Sequence, residues 1–334
     1  SVAAYGDAVI ITLSRVGGEG YDLEFQAYNY LALSPEEKDM LAWASELKAA
    51  GKVSSIIVLL NTSNALQVDF LKGNPYDIDA CLWIGGVGIS GTNAVTDILA
   101  GKVNPSGSLV DTYCYDNYSS AAMQNFVATK YAGDLGLIPD SAQSYMIYQE
   151  GIYVGYKYYE TRYEDFVMGT GNAGTYAYGD DVAFPFGHGL SYTNFARSFG
   201  PAAWDGACVT VNAVVKNTGS VPGKEVVQLY IAAPDGRLEK PAKVLSAFEK
   251  TCLLKPGESE KLTLTAKAMD FASFDEDLSA YILEQGEYGV FCGNSLDTAV
   301  KIGSFRLDAD AVLRKTGSVN PPVEEFHKIT KRDP

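Results

Sequence analysis

The stretch Ala8-Val-Ile-Ile-Thr-Leu13 runs directly into Ser14-Arg-Val-Gly-Gly-Glu-Gly-Tyr-Asp22. Six mostly β-branched or aliphatic residues followed by turn residues predict a buried strand of an α/β sheet. Loops that follow such strands commonly carry ligand-binding or catalytic groups. Here the loop carries Glu19, and the glycines around it let the backbone bring one carboxyl close to a ligand. The stretch therefore predicts either a general acid on a glycine-bordered loop or a surface turn whose glutamate is merely solvated.

The residues after this loop predict alternating helices and strands. Ser34-Pro-Glu-Glu37 combines a capping residue, an early proline and early acids, which is typical of a helix start. Further apolar runs and helical spacings predict a strand over 55–60, a short helix over 65–71, a strand over 80–84 and a helix over 94–99. Strands that alternate with helices indicate an α/β sandwich, a mostly parallel sheet flanked by helices.

A second glycine-rich loop leaves an alternative open. Gly86-Val-Gly-Ile-Ser-Gly91 matches G-x-G-x-x-G between a strand and a helix, and Asp111 lies 20 residues beyond it. This pattern occurs in nicotinamide-binding oxidoreductases, although there it normally follows the first strand of the sheet. The other interpretation is that these glycines allow a helix to pack tightly against a strand.

From about residue 200 the pattern changes to short alternating strands. We predict seven of them, at 208–215, 225–231, 243–248, 260–265, 280–283, 287–291 and 300–305. Such spacing predicts an all-β sandwich. The predicted organisation is an α/β-sandwich domain over 1–199, a β-sandwich over 200–310, and a linker or tail over 311–334.

The composition excludes several classes of partner. The chain has 334 residues, 41 acidic and 26 basic, and its net charge of −15 repels nucleic acids and anionic membranes. Five widely spaced cysteines without a C-x-x-C motif, and only two histidines, predict neither a disulfide framework nor a metal site. Free thiols and the lack of a visible signal peptide favour a cytoplasmic over a secreted protein. We expect the true N-terminus to lie upstream of Ser1.

Five motifs occur together and in a fixed order: Ser14–Asp22, Trp83–Gly86, Asn104–Gly107, Glu150–Tyr156 and Phe184–Thr193. This set resembles the β-glucosidases of glycoside hydrolase family 3, and the resemblance extends from Ala8 to about Leu307. It implies an α/β-sandwich domain followed by a fibronectin type III-like domain, in agreement with the two zones above.

The resemblance also implies a reaction. It assigns the family's general acid/base to Glu19, and Arg15 and Tyr21 are expected to position the loop or bind the sugar. The implied activity is retaining hydrolysis of terminal non-reducing β-D-glucosyl units, without cofactor or metal. The implied nucleophile is an aspartate on a (β/α)8 barrel, and the sequence contains neither its motif nor eight strand-helix repeats. We therefore expect the barrel in another chain or segment, and little activity without it.

Several points stay open. Val87 stands where the family usually has an acidic residue, so polar contacts are not assigned to that loop. The tyrosine-rich stretch 145–163 fits domain packing, but it also leaves a non-catalytic carbohydrate-binding module as an alternative. The preference for a glucoside, a xyloside or another β-linked oligosaccharide, and the formation of a homo-oligomer, are not determined by the sequence.

Overall fold

The structure is a computed structural model that describes residues 6–15, 31–124, 129–130, 144–145, 147–317 and 327–333. The elements up to residue 184 are β1 (Ala8–Arg15), α1 (Pro35–Ala49), β2 (Ser55–Thr62), β3 (Ala80–Trp83), α2 (Thr92–Leu99), β4 (Tyr113–Cys114), α3 (Ala121–Gln124), β5 (Thr129–Lys130), β6 (Ser144–Tyr145), α4 (Tyr156–Met168), α5 (Tyr178–Asp181) and β7 (Val182–Phe184). The remaining strands are β8 (Phe195–Phe199), β9 (Ala203–Trp204), β10 (Cys208–Asn217), β11 (Val226–Ala232), β12 (Val244–Lys250), β13 (Ser259–Lys267), β14 (Ser273–Asp275), β15 (Ala280–Leu283), β16 (Gly286–Gly293), β17 (Val300–Leu307) and β18 (Ala311–Lys315).

The chain forms two compact units, and each contains more than one segment of the sequence. The first unit comprises 1–104, 111–117 and 179–184, and the second comprises 105–110, 118–178 and 185–334. The domain boundaries given above remain a prediction.

The first unit is built on a parallel sheet in the order β1-β2-β3. Its apolar face uses Ile11 and Leu13 of β1, which are buried beside the buried residues of β2. Helix α1 packs on this sheet through Leu41 and Ala44, both completely buried. The predicted cap of α1 is confirmed, since Ser34 and Glu37 exchange both bonds of a capping box.

One element of this unit was predicted wrongly. The helix expected over 65–71 is only a single 3-10 turn, Asp69–Leu71. The preceding amides bond to distant carbonyls instead of to the previous turn: Gln67 N–H donates to Leu31 O and Val68 N–H to Cys114 O, at 2.6 and 3.0 Å. These long-range bonds hold the segment extended, which local propensity cannot reveal.

The second unit contains the β-sandwich. One sheet has the order β13-β10-β8 with β9 beside β10, the facing sheet has the order β12-β11-β16-β17, and β14-β15-β18 form a smaller sheet. The alternating pattern of β10 places Val209, Val211, Ala213 and Val215 in the core. All seven predicted strands are present, so the fold class, α/β followed by an all-β fibronectin type III-like region, is confirmed.

The last described residues are bonded to the second unit. Ile329 N–H donates to Gln149 O (2.8 Å), Asn172 N–H to Lys331 O (2.8 Å), Lys331 Nζ to Asp235 Oδ1 (2.9 Å) and Arg162 Nη2 to Asp333 O (2.9 Å). Residues 327–333 therefore touch three separate stretches of this unit. The part predicted as linker or tail thus contains both a paired strand, β18, and this anchored segment.

Gly171 allows the anchored segment to lie close to α4, which predicts an effect of substitution. A Cβ at this position would lie 2.7 Å from Asp165 Oδ2 and 2.8 Å from Lys331 O, and its φ is +62°. Gly174 has a similar φ of +59° but nothing within 4 Å. We expect Gly174→Ala to cost about 1–2 kcal/mol from backbone strain alone, and Gly171→Ala about 1–3 kcal/mol more from the clash. Urea denaturation measures both, and equal losses would contradict the close approach.

The structure describes all five cysteines, and each is a free thiol. Within the described ranges, no helix is both long enough and apolar enough to cross a membrane.

Candidate active site

The carboxyl ends of β1, β2 and β3 meet at one edge of the parallel sheet, here called the carboxyl edge. Ser14 and Asn61 lie side by side there, and Asn61 Nδ2 donates to Ser14 Oγ at 3.3 Å. Open α/β sheets bind ligands at this edge. Glu19 and Tyr21 follow β1 in the chain but lie outside the described residues. Their roles remain predictions.

Arg15, the last residue of β1, is bound to the protein through its guanidinium. Its two terminal nitrogens each donate to one oxygen of the Glu37 carboxylate at 2.7 Å, and Nη2 also donates to Ala32 O at 2.8 Å. The arginine side chain is only 8% exposed. A planar guanidinium paired with both carboxylate oxygens is a strong and directional contact. The predicted sugar contact of Arg15 stays untested, whereas its contacts to the protein fix the end of β1.

Glu37 has two functions in the structure, and only one was predicted. Its Oε2 accepts the Ser34 N–H at 2.9 Å, which caps α1, and the same carboxylate holds Arg15. Burial alone would raise the pKa of the Glu37 carboxyl. The hydrogen bonds from Arg15 and Ser34, together with the arginine charge, outweigh it and hold that pKa below its usual value. The carboxylate is therefore ionised at neutral pH.

Trp83 ends β3 at the same edge. Its indole N–H donates to Thr62 O at 2.8 Å, and a Cβ added to Gly85 would touch the ring at 3.5 Å. Gly85 has a φ of +58°, which favours glycine. Trp83 as a whole remains 36% exposed. No role was predicted for it beyond its place in the Trp83–Gly86 motif.

The second glycine-rich loop closes upon itself. Gly91 N–H donates to Val87 O at 3.1 Å, and a Cβ at Gly91 would lie 2.2 Å from that oxygen. Gly91 is thus required by its own turn, just before α2 begins. The need for glycine at position 91 is thus explained within the loop, without a bound phosphate. Among the residues that the structure describes, no group of three or more histidine, cysteine or acidic side chains is placed to hold a metal ion.

Family comparisons identify the class of both parts of the chain. Residues 1–156 match the model of the glycosyl hydrolase family 3 C-terminal domain, and residues 225–296 match that of the fibronectin type III-like domain. The class is thus the C-terminal region of a glycoside hydrolase. The chain belongs to glycoside hydrolase family 3, as its five motifs indicated.

Its relatives include several β-glucosidases and an exo-alpha-(1->6)-L-arabinopyranosidase of Bifidobacterium breve, which is 31% identical over 79% of this chain. Beta-glucosidase A of Butyrivibrio fibrisolvens is 33% identical over 95% of this chain and 39% of its own length. The structure of beta-glucosidase 3B from Thermotoga neapolitana in complex with alpha-D-glucose matches 94% of this chain with a TM-score of 0.77 and 32% identity. A beta-glucosidase structure from Paenibacillus barengoltzii matches 97% with a TM-score of 0.81 and 31% identity. This chain spans 39% of the Thermotoga protein and 33% of the Paenibacillus protein.

Proposed function

We propose that this chain supplies the general acid/base of a retaining, exo-acting β-glucosidase, and that Glu19 is that group. The observation that carries the proposal is the family match over residues 1–156, which includes the glycine-bordered loop of Glu19. The order of the chain supports it, because Glu19 follows β1 in sequence and β1 ends at the carboxyl edge, where open α/β sheets bind ligands. The family match also favours this function over a nicotinamide oxidoreductase.

The proposed reaction has two steps, and Glu19 acts as the acid in the first and as the base in the second. Protonated Glu19 gives its proton to the glycosidic oxygen while a nucleophilic aspartate attacks the anomeric carbon, which forms a covalent glycosyl-enzyme and releases the aglycone. Ionised Glu19 then takes a proton from water, and the resulting hydroxide displaces the aspartate with net retention. For this chemistry the two carboxyl groups must stand about 5–5.5 Å apart.

We place the nucleophile on a (β/α)8 barrel outside these 334 residues, in another segment or another chain. The relatives leave room for it, because the matched region is well under half of their length. The substrate would be a neutral β-glucoside or oligosaccharide, which a protein with a net charge of −15 does not repel. The isolated chain is then expected to be inactive.

The stereochemistry of the first product tests this mechanism. Proton NMR of the complete enzyme acting on an aryl β-D-glucoside should show β-glucose first, with the α-anomer appearing only by slow mutarotation. The matched measurement uses residues 1–334 alone at the same concentration, which should release no glucose. Initial release of α-glucose would exclude the retaining mechanism. Full activity of the isolated chain would exclude the proposal that the nucleophile lies on a barrel outside residues 1–334.

A further inference from the structure

We propose that Glu37 is a positioning residue for the general acid/base, although it lies in a helix and its carboxylate is bound to the protein. This inference rests on the proposed function of Glu19. It is carried by the contacts of Arg15, Ala32, Ser34 and Glu37, all of which the structure describes.

The first step is that one side chain connects the two ends of the segment that contains Glu19. Arg15 is the last residue of β1, and Ala32 lies just before α1 begins at Pro35. The bond from Arg15 Nη2 to Ala32 O, at 2.8 Å, joins these two points directly. The relative position of these two points, which flank the segment in the chain, therefore depends on where the guanidinium is held.

The second step is that Glu37 holds the guanidinium. Its Oε1 accepts from Nη1 and its Oε2 from Nη2, each at 2.7 Å. Such a two-point contact fixes the orientation of the guanidinium plane as well as its distance. Both side chains are largely shielded from solvent, since they are only 8% and 19% exposed.

The third step is that Glu37 is itself fixed to the body of the first unit. It lies in the first turn of α1, where it also accepts the Ser34 N–H at 2.9 Å. The same helix buries Leu41 completely. The contacts thus form a continuous series from a packed helix, through Glu37 and Arg15, to both ends of the segment.

This arrangement does more than cap a helix. Capping requires one acceptor oxygen, and a glutamine at position 37 would still offer its amide oxygen to the Ser34 N–H. What glutamine removes is the negative charge and the second acceptor for Arg15. Proton transfer depends steeply on the placement of the acid, so a small displacement of the segment should lower the rate of steps that need the proton.

Leaving-group dependence separates positioning from general stability. Phenyl β-D-glucoside needs its leaving oxygen protonated, whereas 2,4-dinitrophenyl β-D-glucoside has a leaving group stable enough to depart without a proton. In the complete enzyme we expect Glu37→Gln to lower kcat/KM for the phenyl substrate by about 10- to 100-fold. The loss for the dinitrophenyl substrate should be less than about threefold, because that step does not use the acid.

Asp79, which lies just before β3 and pairs with Lys48 of the same helix α1, provides a matched control. Its carboxylate also pairs with a cation, Lys48 Nζ at 2.8 Å, and also accepts a backbone N–H, from Ile56 at 2.8 Å. It lies at the amino ends of β2 and β3, the opposite edge from Arg15. Asp79→Asn should change kcat/KM equally, and little, for both substrates.

The outcomes distinguish the inference from the function on which it rests. If Glu19→Gln shows the leaving-group dependence and Glu37→Gln does not, Glu37 has no positioning role. If Glu19→Gln shows none, the proposed function fails and the inference fails with it. Arg15→Lys keeps the positive charge but loses the two-point contact, so it should show the same dependence on the leaving group as Glu37→Gln. It replaces Glu37→Gln in the test if the Glu37→Gln protein does not fold. Equal losses on both substrates in either variant would overturn the proposal.

Discussion

Replacing Glu19 with alanine in the complete enzyme should lower kcat/KM for phenyl β-D-glucoside by about 10²- to 10⁴-fold, the usual contribution of general acid catalysis. The reason is that the leaving oxygen must then depart without a proton. With a dinitrophenyl leaving group the first step should stay fast, so that the glycosyl-enzyme accumulates and both kcat and KM fall. Steady-state kinetics on the two substrates measures the difference.

Azide provides the control for this result. A small anion needs no general base, so it should attack the accumulated glycosyl-enzyme of Glu19→Ala and raise turnover, with β-glucosyl azide as the product. Azide should not accelerate the unmodified enzyme. Unchanged turnover in Glu19→Ala, or a loss that azide does not relieve, would remove Glu19 from the acid/base role.

The second large effect is expected in the β-sandwich, at a buried ion pair. Lys240 and Glu284 are paired with side chains only 4% and 7% exposed. Glu284 also accepts the backbone N–H groups of Arg237 and Leu238, at 2.9 and 3.1 Å. Glu284→Ala would leave the lysine charge buried without its partner, which typically costs about 3–5 kcal/mol of unfolding free energy. Urea denaturation at pH 7 is the measurement.

The exposed pair Lys301–Glu287 is the control in the same sandwich. Its side chains are 52% and 56% exposed, so Glu287→Ala should cost less than about 1 kcal/mol. Burial alone would raise the pKa of Glu284, but the bonds from Lys240 and the two amides hold it below its usual value. The stabilising contribution of Glu284 is therefore complete above the unfolded pKa of about 4.3 and is lost as the pH falls through the lower folded pKa. A stability difference between the native protein and Glu284→Ala that grows toward pH 3 would contradict this assignment.

The sequence predicted those features that depend on neighbouring residues. Alternation of apolar residues located β10, because one face of that strand packs into the core while the other faces solvent. The Ser34 cap of α1 was predicted because both of its partners lie within one turn of the helix.

Features that depend on distant partners were missed. The 65–71 segment has a helical composition, yet its backbone bonds to Leu31 and Cys114. Arg15 and Glu37 are separated by 22 positions, and no periodicity connects a strand end with a helix start. The roles of Glu19 and Tyr21 were predicted from the family resemblance. Physical reasoning from the residues alone predicted only that Glu19 is a carboxyl on a glycine-bordered loop, either a general acid or a solvated side chain.

The pairing of β4 with β7 limits how this protein can be divided for study. Tyr113 pairs with Phe184 within the first unit, whereas residues 118–178 between them belong to the second unit. A truncation after residue 156, where the family match ends, would remove β7 and leave Tyr113 and Cys114 without their partner strand. A fragment made to study the first unit should therefore extend at least to Phe184. A fragment made to study the second unit would have to begin before residue 118, so the two fragments share a stretch of sequence.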